Sequence, residues 1–286
     1  MNSIKNLSKR VVMIFFRDKS NVFYSLLASG LVFLIYLLFL GDVYADEGIL
    51  AHMPNFVAMQ NQWLIAGMLF ITSFSSVLNA MGQLPYDKRI KISDDLLVAP
   101  LTRRSIVAGY MLGGSAAAFI LSLVLMIFGY LYLFFKQTPL PDLPHTLYIL
   151  VLVIVSILLV SSFAFLLAAY GKTPRSYGAV SGVLQTLVGF LAGVYLPLGT
   201  LGEGVKTLMT LLPTTHVVML LRQAFTAGSF PQTTTAYIEG LRLFMGVDLS
   251  IGKYVIPVWV SWFYIGVSTL IMFLLSARKL SQSEDQ

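Results

Sequence analysis

Residues 147–170 read LYILVLVIVSILLVSSFAFLLAAY, a run with no charged side chain and with apolar groups on every helical face. At 1.5 Å of rise per residue such a helix is about 36 Å long, enough to cross a hydrocarbon layer of about 30 Å. Five further runs of this kind occupy 22–40, 62–80, 106–135, 177–196 and 255–277. Membrane strands would instead alternate polar and apolar residues over about ten positions, and none of these runs alternates. The expected fold class is therefore all-α integral membrane: one transmembrane domain over 1–286 with six transmembrane helices.

Composition agrees. Of the 286 residues, 57% are hydrophobic and 11% charged, with a mean hydropathy of +0.81; soluble domains are about 45–50% apolar and about a quarter charged. An ordinary soluble enzyme is excluded, and so is a nucleic-acid binder, because a net charge of +6 is carried by too few charged groups to coat a water-facing surface. The absence of cysteine removes disulfides, thiolate nucleophiles and Cys-based metal sites. Val43-Tyr44-Ala45 loosely fits a signal cleavage site after the first run. That run exceeds the 7 to 15 residues usual for a signal core, and a long basic stretch precedes it, so it is read as a span.

Orientation follows from the basic residues, which are retained on the cytoplasmic side. Lys5, Lys9, Arg10, Arg17, Lys19, Lys88, Arg89, Lys91, Arg103, Arg104, Lys172, Arg175, Arg278 and Lys279 fall on one side of a six-span layout, 14 of the 19 Lys and Arg. The 41–54 loop has none, but carries Asp42, Asp46 and Glu47. The reading is N-in, C-in.

Three segments do not span. In 1–21, Ile4, Leu7, Val11 and Ile14 recur at helical spacing with Lys5, Lys9 and Arg10 largely off that stripe, the pattern of an interfacial helix. Segment 81–105 concentrates Asp87, Lys88, Arg89, Lys91, Asp94, Asp95, Arg103 and Arg104. Ile90, Leu96 and Leu97 can face the membrane there, and Pro100 ends the run; mixed charges suit docking onto another protein. In 197–254, two apolar pieces at 205–212 and 217–225, separated by Pro213, are too short to span and read as re-entrant outer helices.

Catalytic chemistry finds little support. Gly171-Lys172-Thr173 resembles the end of a phosphate loop, but Leu166 stands where its first glycine belongs. His52, His145 and His216 are dispersed without metal-ligand spacing, so no metal is expected. Gly109/Gly113, Gly178/Gly182 and Gly189/Gly193 are small-xxx-small pairs for close helix approach. The second span holds Phe70, Phe74 and Asn79, and the fifth holds Gln185, Thr186, Phe190 and, near its end, Tyr195. These two spans could line one apolar cavity with a few polar groups, which suits amphiphilic cargo; ordinary core packing is the alternative.

The order of parts resembles the type-2 ABC exporter permease family, which has an ABCG-like fold. The resemblance rests on Phe16-Arg17-Asp18-Lys19 before the first span and on residues 86–101, YDKRIKISDDLLVAPL, followed by Arg103 and Arg104. It rests also on Gly193-Val194-Tyr195-Leu196-Pro197, the 211–216 stretch LLPTTH, and Leu221-Arg222. The acidic residue and Gly-Thr that often open the family's coupling stretch are absent here. The resemblance implies a permease subunit that binds no cofactor itself and works with two copies of an ABC ATPase subunit carrying ATP and Mg. It implies a second permease protomer, homo- or heterodimeric, surrounding membrane lipid and a bacterial cytoplasmic membrane. The charged residues of 87–104 would couple to the ATPase, while Pro197, Pro213, His216 and Arg222 would belong to an outer cap. The cargo would be a drug, toxin, peptide or lipid-like compound. A polysaccharide permease and a secondary carrier are alternatives; a carrier of that kind often shows inverted repeats and intramembrane ionisable groups, and neither is evident.

Overall fold

The computed structural model describes residues 2–40, 47–92, 102–171, 173–231 and 235–282. Asp42, Asp46, Asp94, Asp95, Leu96, Leu97, Pro100 and Lys172 lie outside the described residues. In chain order the helices are α1 (Asn2–Arg17), α2 (Lys19–Ile35, prolonged by a π-turn Tyr36–Leu40), α3 (Glu47–His52), α4 (Phe56–Met81), α5 (Gln83–Arg89), α6 (Arg103–Phe135) and α7 (Leu143–Tyr170). There follow α8 (Pro174–Leu191), α9 (Glu203–Thr210), α10 (Pro213–Thr226), α11 (Ala236–Phe244), a small antiparallel hairpin of β1 (Ser250–Ile251) and β2 (Tyr254–Val255), and α12 (Val258–Gln282).

The long helices are apolar runs set between local start and stop signals. Asp18 caps α2 by accepting the Ser20 N–H, and Thr102 caps α6 by accepting that of Ser105. Asp142 caps α7; the His145 backbone N–H and then its ring hold the Asp142 carboxyl below the usual carboxylate range. Thr173 and Ser176 form a reciprocal capping box at α8, with Pro174 at the first helical position.

Five helical stretches, Lys19–Leu38, Phe56–Arg89, Ser105–Phe135, Leu143–Tyr170 and Val258–Ser276, are long and apolar enough to cross a membrane. The pair α9 and α10 makes a sixth if counted as one broken span, bent by 89°. Of the stretches read as spans, 177–196 differs most. Its helix α8 has 18 residues, carries Arg175 and Gln185, and stops at Leu191. Gly193 supplies the reason: at φ +66 it takes the left-handed conformation, with Val194 N–H bonding Gly189 O at 2.7 Å and Gly193 N–H bonding Phe190 O at 2.9 Å. That is a Schellman stop, which ends the helix and turns the chain back.

α4 is the central helix. Its most apolar window is 94% buried, against 22% for α2 and 11% for α12. α2, α6, α7, α8 and α10 all pack on it, and α12 joins from outside through α7 and α10. Because hydrocarbon offers no hydrogen bonds, polar side chains of α4 gain from partners within the protein, and most have one, although the buried Ser75 and Ser76 hydroxyls do not. Thr72 Oγ1 donates to Ser29 Oγ at 2.9 Å, Ser73 pairs with Ser122 at 2.9 Å, and Asn79 Nδ2 donates to Ser25 Oγ at 2.9 Å. Near the other end Asn61 meets Tyr36, Tyr132 and Thr138, and Gln62 Nε2 donates to Pro139 O at 2.8 Å.

The amphipathic α1 packs closely along α6. A Cβ at Gly109 would sit 2.6 Å from Leu7 Cδ2, and one at Gly113 would sit 2.7 Å from Val11 Cβ and 2.8 Å from Ser8 O. Ser8 Oγ donates to Gly109 O at 3.1 Å across the same seam. By contrast, nothing lies within 4 Å of a Cβ at Gly178 or Gly182 on α8. Gly113→Leu should therefore overpack the α1–α6 seam and cost about 1–3 kcal/mol, whereas Gly178→Ala, with room for its methyl inside α8, should not lower stability. Thermal unfolding of the purified variants in detergent checks this, and equal midpoints for the two would contradict the assigned seam.

Candidate functional site

At the foot of α4, the short helix α5 puts Leu84 and Asp87 on one face, three residues apart, and both are buried. Asp87 is 0% exposed. A carboxylate in such a place needs a charged partner and filled lone pairs. Arg10 of α1 supplies a two-pronged contact, Nη1 to Oδ2 at 2.6 Å and Nη2 to Oδ1 at 3.1 Å. Gln83 Nε2 donates to Oδ1 at 2.6 Å, and the Tyr110 hydroxyl of α6 donates to Oδ2. The node thus ties α1, α5 and α6 together.

Of the other charged residues read as contacts for a partner, Lys88, Arg89 and Lys91 are exposed. Lys91 has φ 62 and closes α5 in the left-handed region. Asp94 and Asp95 lie outside the described residues, and Arg103 and Arg104 form the first turn of α6. Asp87 is a buried anchor, separated from that exposed group by its role within the fold.

Between α2, α4 and α8 lies a cavity of about 900 Å³. Asn79, Gln185, Thr186, Phe190 and Tyr195 all line it, so the structure brings together five of the residues read as a substrate path. Gln185 Nε2 donates to Asn79 Oδ1 at 3.2 Å, and the Phe190 and Tyr195 rings meet edge to face at 4.6 Å. Phe70 and Phe74 are not among the lining residues; they are 0% and 5% exposed and belong to the core. Tyr24, Leu31, Ile35 and Trp63 replace them as large side chains of the wall. A second cavity of about 650 Å³ shares Asn21, Asn79, Gly178 and Ser181 with the first and reaches Arg10, Gln83 and Asp87. The two make one trough along α8, polar at its foot and apolar above.

At the opposite end the trough is bounded by Val194, Tyr195 and Leu196, and the broken segment follows them in the chain. Pro197 leads into a short 3-10 turn, Leu198–Thr200, and Pro213 opens α10 after the bend. His216 is 3% exposed and sits between Thr210 O at 2.8 Å from Nε2 and Ser261 Oγ at 2.9 Å from Nδ1. A carbonyl can only accept, so Nε2 carries the proton and Nδ1 accepts from Ser261. His216 thereby fixes the bend against α12. Arg222, 1% exposed, donates to the carbonyls of Gly193, Met245 and Gly246 and lies 4.1 Å over the Trp63 ring. Trp63 Nε1 donates to Met245 O at 2.7 Å. Arg222 therefore joins the Schellman turn after α8, the loop after α11 and α4. Among the described residues no group of His, Asp or Glu is arranged to hold a metal.

A family model for the ABC-2 type transporter matches residues 2–226. The chain belongs to the ABC-2 type transporter family. With five or six helices able to cross a bilayer, this family member is a multi-pass membrane protein. A curated relative, "Putative transport permease ycf38" of Cyanophora paradoxa, is 28% identical over 170 residues, 59% of this chain. The alignment spans 57% of that relative's length.

Arg10, Gln83, Tyr110 and Trp63 are site residues that motif reading does not single out. An acid on the apolar face of a seven-residue helix was the available signal for the first three, since such a group must be paired. A double-mutant cycle of Arg10→Ala and Asp87→Ala should give a coupling energy of roughly 1.5–3 kcal/mol. Additive unfolding free energies would contradict the node.

Proposed function

We propose that this ABC-2 family member is the membrane permease subunit of an ABC exporter for amphiphilic compounds, driven by a separately encoded ATPase that supplies ATP and Mg. The observation that carries this reading is the continuous trough along α8. Its foot holds amide, hydroxyl and charged groups, and its upper part is faced mainly by aromatic and aliphatic side chains. A compound with a polar head and an apolar body matches both ends, whereas a highly charged solute would lose its hydration without replacement.

The coupling step uses the node. An ATPase docked on the exposed basic side chains after Asp87 would displace α5, and the Arg10–Asp87 contact would pass that displacement to α1. Because Gly109 and Gly113 seat α1 directly on α6, the movement reaches two long helices as one body. α8 rests on α4 along a narrow strip that includes Tyr177, whose hydroxyl donates to Leu78 O at 2.6 Å, so it is the wall freest to move. A second protomer facing α8 would complete the trough from its open side. Export in the outward direction places the α9–α10 bend at the exit, with N- and C-termini in the cytoplasm of a bacterial cell.

Purification from the native host in mild detergent tests the reading. The expected result is a co-purifying ATPase subunit in 1:1 ratio whose ATP hydrolysis rises with an amphiphilic cargo. Lys88→Glu with Arg89→Glu should lower that association several-fold without loss of expression. A preparation free of ATPase in several detergents would instead favour a carrier driven by an ion gradient.

A further inference from the structure

The upper cavity of the trough is uncharged: no Asp, Glu, Lys, Arg or His is among the described residues that line it. Its polar character comes from amides and hydroxyls, and one fixed end sets the direction of their hydrogen bonds. Ser25, 0% exposed, lies against Asn21 O at 2.7 Å. A backbone carbonyl only accepts, so the single Ser25 proton is committed there and Ser25 Oγ faces Asn79 as an acceptor. Asn79 must therefore turn Nδ2 toward it, at 2.9 Å, which leaves Oδ1 facing Gln185. Gln185 in turn donates through Nε2 at 3.2 Å, and its own oxygen, Oε1, is left over. Reversing either amide would set oxygen against oxygen. Among the described residues nothing donates to Gln185 Oε1.

The neighbouring hydroxyls of α8 share this polarity. Ser181 Oγ donates to Gly178 O at 3.1 Å and Thr186 Oγ1 to Gly182 O at 3.0 Å, so both meet the trough with lone pairs. Tyr36 and Trp63, also on the wall, turn their protons away, onto Asn61 Oδ1 and Met245 O. On the α8 face, Ser181, Gln185 and Thr186 thus offer several open lone pairs against the single N–H that Gln185 retains. Gln185 stands at the level where the polar foot gives way to the apolar part: Asn79 and Ser181 line both cavities, Gln185 only the upper one. A donor group on a cargo that reaches this level loses its water, and Gln185 Oε1 is placed to replace it.

We propose that the trough selects uncharged amphiphiles that carry an N–H or O–H donor, with Gln185 Oε1 as the acceptor that recognises it and Ser25 and Asn79 as the residues that fix its direction. The inference rests on the trough being the cargo route and adds which cargo it takes. Ethers, esters and tertiary amides of the same size, which only accept, meet lone pairs with lone pairs and are disfavoured.

The test uses the chain in phosphatidylcholine nanodiscs and two probes that differ at a single oxygen: ethylene glycol monododecyl ether, with a terminal hydroxyl, and its methyl ether. The methylated probe is the more apolar, so partition into lipid alone would favour it. A Gly182→Cys thiol reports occupancy, because Gly182 lines the trough, a Cβ there meets nothing within 4 Å, and the chain has no other cysteine. Each probe is titrated against the rate at which a maleimide labels that thiol. The hydroxyl probe should halve the rate at a concentration roughly fivefold lower than the methylated one. Gln185→Met, of similar volume but without the carbonyl, should abolish that ratio. Ser25→Ala leaves Gln185 in place but frees the Asn79 amide to reverse, and it should bring the ratio toward equality; a Gln185 that merely packed would be indifferent to it. Equal potency of the two probes on the chain that keeps Gln185 and Ser25 would overturn the proposal while leaving the trough as a cargo site. So would a ratio that survives Gln185→Met. Protection by neither probe would overturn the cargo reading and the proposal together.

Discussion

α4 buries Asn61, Gln62, Thr72 and Ser73 and sets Asn79 at the edge of the trough, and the need to partner these groups shapes the rest of the molecule. Each of these side chains finds its partner on another segment: Tyr36, Thr138, Pro139, Ser29, Ser122, Ser25. The hydrogen bonds select which helices surround α4 and in what register, because apolar packing alone distinguishes poorly between neighbours in a solvent that is itself apolar. Small residues then set how closely they approach. Gly129 accommodates Ile65 of α4, and Gly114 accommodates Met81, where a Cβ would meet atoms at 2.5 and 2.9 Å.

Two charged anchors stand at opposite ends of this frame and solve the same problem differently. At the foot, Asp87 is neutralised by Arg10 and surrounded by donors, so the charge is paired. At the other end, Arg222 has no carboxylate partner among the described residues; three backbone carbonyls and the Trp63 ring share its positive charge. The first arrangement links the amphipathic α1 and the short α5 to α6, one of the helices long and apolar enough to cross a membrane. The second locks the turn after α8 to the loop after α11. α8 itself is held near its start by the Tyr177 hydroxyl on Leu78 O and after its end by Arg222 on Gly193 O.

Much of this was legible in the sequence, for identifiable reasons. Long uncharged runs have few alternatives to helices, so 106–135 and 147–170 match α6 and most of α7. The stripe Ile4, Leu7, Val11 gave α1, and Pro213 gave the bend between α9 and α10. Gln185 and Asn79 were the polar interruptions of two spans, and they meet across the trough. Orientation of faces was not legible. α4 is uncharged and buried nearly all round, with polar residues on several faces, and such a helix has no periodicity to show that Phe70 and Phe74 turn into the core. Nor could spacing reveal Arg10 beside Asp87, 77 residues apart, or the left-handed glycine that stops α8 five residues before the apolar run ends.

The central claim is that the trough along α8 is the transport route and that nucleotide at a partner changes its access. The chain has no cysteine, so Thr186→Cys introduces a unique thiol on the trough wall, at a side chain whose only described hydrogen bond is to Gly182 O. The measurement is the rate at which a water-soluble maleimide added from the cytoplasmic side labels this thiol in the assembled transporter, with and without ATP. The account predicts ready labelling at rest, slowed severalfold when ATP is bound and again by an amphiphilic cargo. A rate indifferent to both would contradict it.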